Sequence, residues 1–107
     1  MDILDKSIEI SELYDIYQDL LTKKQKEYFE AYYYNDFSIT EISDNFDVSR
    51  NAVHDQIKKT VLKLYDYENK LNLRNKDKQY RIIFKKIREA SDSNKVLELI
   101  EELEKVE

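Results

Sequence analysis

Apolar residues recur at three- and four-residue spacing through most of the chain, and no stretch alternates with the period of two that a half-buried strand needs. The pattern predicts an all-α protein. Ile10, Leu13, Tyr14, Tyr17, Leu20 and Leu21 mark one face of a first helix over about residues 8–20, with acidic residues opposite. Thr22 and Gln25 form a Thr-x-x-Gln capping box for a second helix, whose apolar face is Tyr28, Phe29, Tyr32 and Tyr33 and which Asn35-Asp36 ends. Ser38 and Glu41 make a second box, with Phe37 and Ile42 at the staple positions around it. A short third helix follows, with Ile39, Ile42 and Phe46 expected inward. Ser49 starts a fourth helix, with Val48 and Val53 again at staple positions. Ala52, Val53, Ile57, Val61 and Leu64 face the core, and the helix runs on toward Leu71.

Beyond that point the spacing predicts a polar connection, Asn72 to Lys78, then a fifth helix with Tyr80, Ile83, Phe84 and Ile87 on one side. Ser91-Asp92-Ser93 breaks it. A last helix from about residue 94 carries Val96, Leu99, Ile100, Leu103 and Val106 on an otherwise acidic rod. The expectation is one helical domain over 1–107, with a core at 21–68 and C-terminal helices at 77–107.

Composition narrows the chemistry. The 107 residues suit one modest core. They include no Gly, Pro, Cys or Trp and a single His, so boundaries rest on caps and periodicity alone. Disulfides, thiolate zinc sites, phosphate-binding glycine loops and His-based catalytic clusters are excluded within the chain. Scattered surface carboxylates single out no Mg²⁺ pair, so no metal, cofactor or catalytic residue is expected. The acidic MDILDKSIEI opening is unlike a signal peptide, and no apolar run approaches a bilayer span, so a cytoplasmic protein without a membrane partner is expected.

The net charge of −5 is unevenly distributed. Residues 1–21 carry −5 and 22–49 carry −3, whereas 50–88 hold 12 basic against 4 acidic residues before the last 19 return to −5. Local charge governs binding to a polyanion, and here a basic middle lies between acidic ends.

The third and fourth helices are joined by Phe46-Asp47-Val48, the spacing of a helix-turn-helix, in which one short helix braces a second that enters the major groove. The turn's second position usually needs φ > 0. Asp47 tolerates that conformation at about 1 kcal/mol. Residues 21–64, with Leu21-Thr22, Glu41-Ile42-Ser43, Val48-Ser49-Arg50 and Val53, resemble region 4 of bacterial sigma factors. A narrower pattern, Val48-Ser49-Arg50, Ala52-Val53, Asp55, Ile57-Lys58-Lys59-Thr60, Leu64, Tyr67-Glu68, Lys70-Leu71 and Leu73, resembles the YlxM family of small helical proteins. That resemblance implies a sigma-region-4-like helix-turn-helix domain with an N-terminal helix and a C-terminal helical extension. It also implies a regulatory part in co-translational targeting, because the family is encoded beside signal recognition particle genes.

With Ser49 as N-cap, the exposed positions of the fourth helix are Arg50, Asn51, His54, Asp55 and Lys58, with Lys59 beside them. Arg50 can fork to a guanine edge, Asn51 can pair with adenine, and Lys58 and Lys59 can hold phosphates. Asp55 opposes this, since a central carboxylate is repelled by phosphates unless it accepts from cytosine or pairs with a cation. A second basic set, Lys70, Arg74, Lys76, Lys78, Arg81, Lys85, Lys86 and Arg88, is interleaved with Tyr67 and Tyr80, a mixture suited to RNA. The candidate nucleic-acid residues are therefore Ser49, Arg50, Asn51, His54, Lys58, Lys59, Lys63, Arg74, Lys78 and Arg81. The expectation is a non-enzymatic DNA- or RNA-binding accessory factor, with signal recognition particle components as further partners. The alternative is a protein-interaction module contacting a targeting GTPase or RNA polymerase on the same scaffold. The long fourth helix and the striped last helix offer more apolar surface than one small core needs, so a homodimer is expected.

Overall fold

In the computed structural model, residues 3–106 are described and fall into six α-helices, with no strand among the described residues. These are α1 (Ile3–Tyr17), α2 (Lys23–Tyr33), α3 (Ile39–Phe46), α4 (Arg50–Leu71), α5 (Leu73–Ala90) and α6 (Asn94–Val106). A 3₁₀ turn, Gln18–Leu20, follows α1. The chain divides into two compact units, one ending at Leu71 and the other beginning at Asn72.

Local chemistry sets the starts of α2, α3 and α4. Thr22 Oγ1 accepts from Gln25 N–H at 3.2 Å while Gln25 Oε1 accepts from Thr22 N–H at 2.8 Å. Ser38 and Glu41 repeat the arrangement at 3.1 and 3.2 Å. Ser49 Oγ accepts from Ala52 N–H at 3.0 Å. Each cap satisfies amide donors that the first helical turn leaves unpaired, and is worth about 1 kcal/mol.

In the first unit, α4 is the shared wall of two clusters. Toward its C-terminal half, Leu64 packs with Ile10, Leu13, Tyr14, Tyr17, Leu21 and Phe29. Tyr14 stacks on Phe29 with ring centroids 4.2 Å apart, and its hydroxyl donates to Glu30 Oε1 at 2.7 Å. Tyr17 donates to Glu68 Oε1 at 2.7 Å, tying α1 to α4 across 51 residues of sequence. Toward the N-terminal half of α4, Val53 and Ile57 pack with Tyr28, Ala31 and Ile42. Thr60 is also buried and spends its hydroxyl on Gln56 O at 2.8 Å, so its burial leaves no unpaired donor.

Several sequence expectations change. The first helix begins at Ile3 rather than near residue 8, and its end tightens into the 3₁₀ turn. The tighter winding rotates Leu20 off the α1 stripe, leaving it exposed rather than in the core. Tyr32, Phe46 and Ala52 are also exposed, not inward. Phe46 lies at the end of α3 and makes an edge-type ring contact with Tyr28, at 4.8 Å between centroids. Ala52 sits one residue, about 100°, from the buried Val53 and so turns away from α3.

The polar stretch Asn72 to Lys78 is not a connection. Only Asn72 leaves helical geometry, at φ 59° and ψ 27°, and α5 starts at Leu73. Lys, Arg and Gln are good helix formers, so polarity alone did not mark a loop. The second unit is the pair α5 and α6, which pack on each other and bury Ile100. Arg88 donates to Glu104 between them.

Candidate nucleic-acid interface

The turn between α3 and α4 has the conformation its length predicts. Asp47 adopts φ 54° and ψ 49°, the left-handed region, and its N–H donates to Ser43 O. Val48 N–H also reaches Ser43 O, at 3.1 Å, closing a Schellman-type end to α3. Val48 then packs against the cluster containing Ile42 and Val53. Ile42 and Val53 are both 0% exposed, so α3 and α4 are held at one crossing by a dry contact directly behind the reading face.

That face follows from helical winding. Val53, Ile57, Thr60 and Leu64 define the buried side of α4. At about 100° per residue, the opposite side carries Asn51, Asp55, Lys58, Lys59 and Leu62. Arg50 and His54 lie on one flank and Lys63 on the other, and all are exposed. Ser49 contributes the cap. The structure therefore brings Ser49, Arg50, Asn51, His54, Lys58, Lys59 and Lys63 onto the solvent side of one helix. Among the described residues, the side chains of Arg50, Lys58, Lys59 and Lys63 make no ion pair. Four cations are thus available to an outside anion, Arg50 in the first turn of α4 and Lys58, Lys59 and Lys63 further along the helix.

Asp55 lies in the middle of this surface. Its Oδ1 is 4.0 Å from His54 Nδ1, with both side chains more than 60% exposed, so the pair is weak and solvated.

Arg74, Lys78 and Arg81 belong to the second unit. They share one face of α5, which Lys85 and Arg88 extend at alternating four- and three-residue spacing. Part of this charge is spent internally, because Arg81 Nε holds Asp77 at 2.8 Å and Arg88 holds Glu104.

Sequence reasoning missed a feature next to α4. An open cleft of about 280 Å³ is floored by Ile39 and Ile57 and rimmed by Tyr32, His54, Lys58 and Leu62. Leu62 is 59% exposed. Its position about 180° round the helix from the buried Val53 is the signal that could have revealed it. Among the described residues there is no cluster of three metal-ligating side chains, and no helix is long and apolar enough to cross a membrane.

A short helix bracing a second across a three-residue turn that opens on the left-handed Asp47, with that second helix presenting its polar side to solvent, defines an all-α helix-turn-helix protein. The chain belongs to the family described as "Putative helix-turn-helix protein, YlxM / p13 like", whose model matches residues 4–105. It is 43% identical over 108 residues to the UPF0122 protein YlxM of Bacillus subtilis, covering 97% of this chain and 98% of the relative. A UPF0122 protein of Halalkalibacterium halodurans is 43% identical over 109 residues, covering 98% and 100%. One from Mycoplasma capricolum is 45% identical over 86 residues, covering 80% and 76%.

Proposed function

We propose that this protein is a non-enzymatic, cytoplasmic accessory factor that binds nucleic acid through α4. The observation that carries the reading is the set of four unpaired cations, Arg50, Lys58, Lys59 and Lys63, spaced along the exposed positions of α4 with Asn51 and His54 in its first two turns. Lys58, Lys59 and Lys63 engage phosphates, while Arg50 and Asn51 meet base edges. The basic face of α5, with Arg74, Lys78 and Arg81, adds a second anionic contact. The YlxM resemblance supports a place in the signal recognition particle pathway, with DNA or the particle's RNA as the ligand.

Salt dependence tests this directly. Three phosphate contacts on duplex DNA give a slope of about −2.7 in log affinity against log salt, a loss of about 40-fold between 50 and 200 mM. The double variant Lys58→Ala, Lys59→Ala cuts the slope to about −0.9, a loss of about 3.5-fold. Absence of binding to RNA and duplex DNA at low salt, or affinity indifferent to salt, overturns the proposal. A slope unchanged in the double variant moves the site to α5.

A second reading rests on Leu62 and the adjoining cleft. An exposed leucine beside Tyr32, with Lys58 and Asp55 nearby, also suits a protein surface such as a targeting GTPase or RNA polymerase. Under that reading Leu62→Ala abolishes partner binding, and the cleft's apolar floor supplies the affinity.

A further inference from the structure

The cleft beside α4 joins an apolar interior to a rim of one charge sign. Ile39, Ile57 and Val61 supply the interior. Lys58 and His54, which also line it, carry positive charge or none near neutral pH, and no carboxylate is found among the described residues of its lining. Such a cleft suits a ligand that is apolar in one part and anionic in another. Its volume of about 280 Å³ lies just below the range of drug-sized pockets, which leaves room for one ring system.

One wall is an aromatic platform anchored in the core. Tyr33 stacks on the fully buried Phe29, with centroids 4.6 Å apart and planes 28° from parallel. Tyr32 meets Tyr33 edge to face, at 5.1 Å and 88°. An edge contact covers at most one face of the Tyr32 ring, and the residue stays 38% exposed, so a flat ring can stack on it. Leu62 lines this cleft and also a second open groove, whose other residues are Gln25, Lys59, Lys63 and Asp66. Asp66 is held by Lys70 at 2.9 Å, whereas Lys59 and Lys63 make no ion pair among the described residues. Leu62 is therefore a ridge, with a ring-walled cleft and Lys58 on one side and two available lysines on the other.

We propose that this cleft holds one unpaired base of an RNA loop or bulge, stacked on Tyr32 and against Leu62, with its phosphate on Lys58 and the strand crossing Leu62 to Lys59 and Lys63. The proposal rests on the reading of α4 as a nucleic-acid surface and specifies the kind of strand that surface takes. A nucleotide matches both halves of the arrangement, because its base is a flat ring with a π-face and its backbone is an anion. His54 offers a ring nitrogen at the rim to the edge of the base. Duplex DNA keeps its bases paired and stacked, and extruding one carries a free-energy cost. RNA loops display bases that are already free. A protein partner's apolar side chain would fill the same cleft without placing phosphates on Lys59 and Lys63.

Titration of the full chain against two labelled RNAs tests it, one a hairpin with a single-stranded loop and the other a blunt duplex of the same stem. The wild type is expected to favour the hairpin. Tyr32→Ala weakens hairpin binding by about 5- to 150-fold, the range for loss of one base–aromatic stack, and leaves duplex binding and the salt slope unchanged. Leu62→Ala acts in the same direction, and Tyr32→Phe, which keeps the ring, retains hairpin affinity. Both positions are exposed, and circular dichroism checks that the variants fold. With 5-iodouracil at each loop position in turn, irradiation is expected to crosslink one of them to Tyr32, located by mass spectrometry. Equal affinity for hairpin and duplex, hairpin binding indifferent to Tyr32→Ala, or crosslinks only outside the cleft overturns the base pocket, while salt-dependent binding keeps the α4 reading standing. Absence of binding to RNA and to duplex DNA overturns both.

Discussion

Asp55→Asn isolates the one acidic group at the centre of the α4 surface without changing its shape. A carboxylate about 6 Å from a bound phosphate repels it by about 0.7 kcal/mol at the dielectric of water. Removing the charge therefore tightens nucleic-acid binding by about 3-fold at low ionic strength. At 0.15 M salt a Debye length of about 8 Å halves the repulsion, and the gain falls to under about 2-fold. Stability is expected to stay within about 0.5 kcal/mol, because the only ion pair lost is the exposed contact to His54 at 4.0 Å. The assay is a filter-binding or retardation titration of both proteins at several salt concentrations, with thermal unfolding as the control. Weaker binding by the Asn variant, or a gain that persists undiminished at high salt, refutes the reasoning. Weaker binding would mean that the carboxylate accepts a hydrogen bond from a base or a partner. An undiminished gain would mean that the new amide makes a short-range contact of its own. Neither is relief of phosphate repulsion.

Other perturbations probe the scaffold. Ile42→Ala removes a side chain that is 0% exposed behind the reading helix, and urea unfolding should show a loss of about 2–5 kcal/mol. Asp47→Val forces a β-branched residue into the left-handed region at φ 54°, costing about 1–2 kcal/mol, whereas Asp47→Gly should unfold at or above the wild-type midpoint. The third concerns alkaline pH. Burial, reinforced by Glu30, pushes the Tyr14 phenol well above its usual range, and burial first also raises Tyr33 and Tyr34. A folded-state value above the unfolded one leaves this stabilisation fully present below pH 10 and removes it as pH climbs higher. Denaturation midpoints should therefore fall above pH 10, less steeply in Tyr14→Phe, and an unchanged slope in that variant would contradict the assignment.

Features that depend on neighbours three or four residues away were legible in the sequence. Both capping boxes form with all their hydrogen bonds, because Thr22 with Gln25 and Ser38 with Glu41 need nothing beyond one helical turn. The left-handed Asp47 and the Ser49 cap belong to the same class, and with them came the helix-turn-helix and the exposed polar side of α4. Periodicity likewise placed Leu13, Tyr14, Phe29, Ile42, Val53 and Leu64 in the core.

What only the tertiary structure decided is how far each neighbouring helix reaches. Leu20, Tyr32, Phe46 and Ala52 carry the same apolar signal as residues that are buried, yet the packed helices leave them exposed. Thr60, outside the apolar set expected to face the core, tolerates full burial because its hydroxyl is satisfied within its own helix. The start of α5 at Leu73 escaped notice because a single left-handed Asn can separate two helices without any loop composition. Local patterns set the helices and their caps, since those energies act within a turn. Burial is set by pairs such as Tyr17 and Glu68, 51 residues apart, whose meeting no local pattern encodes.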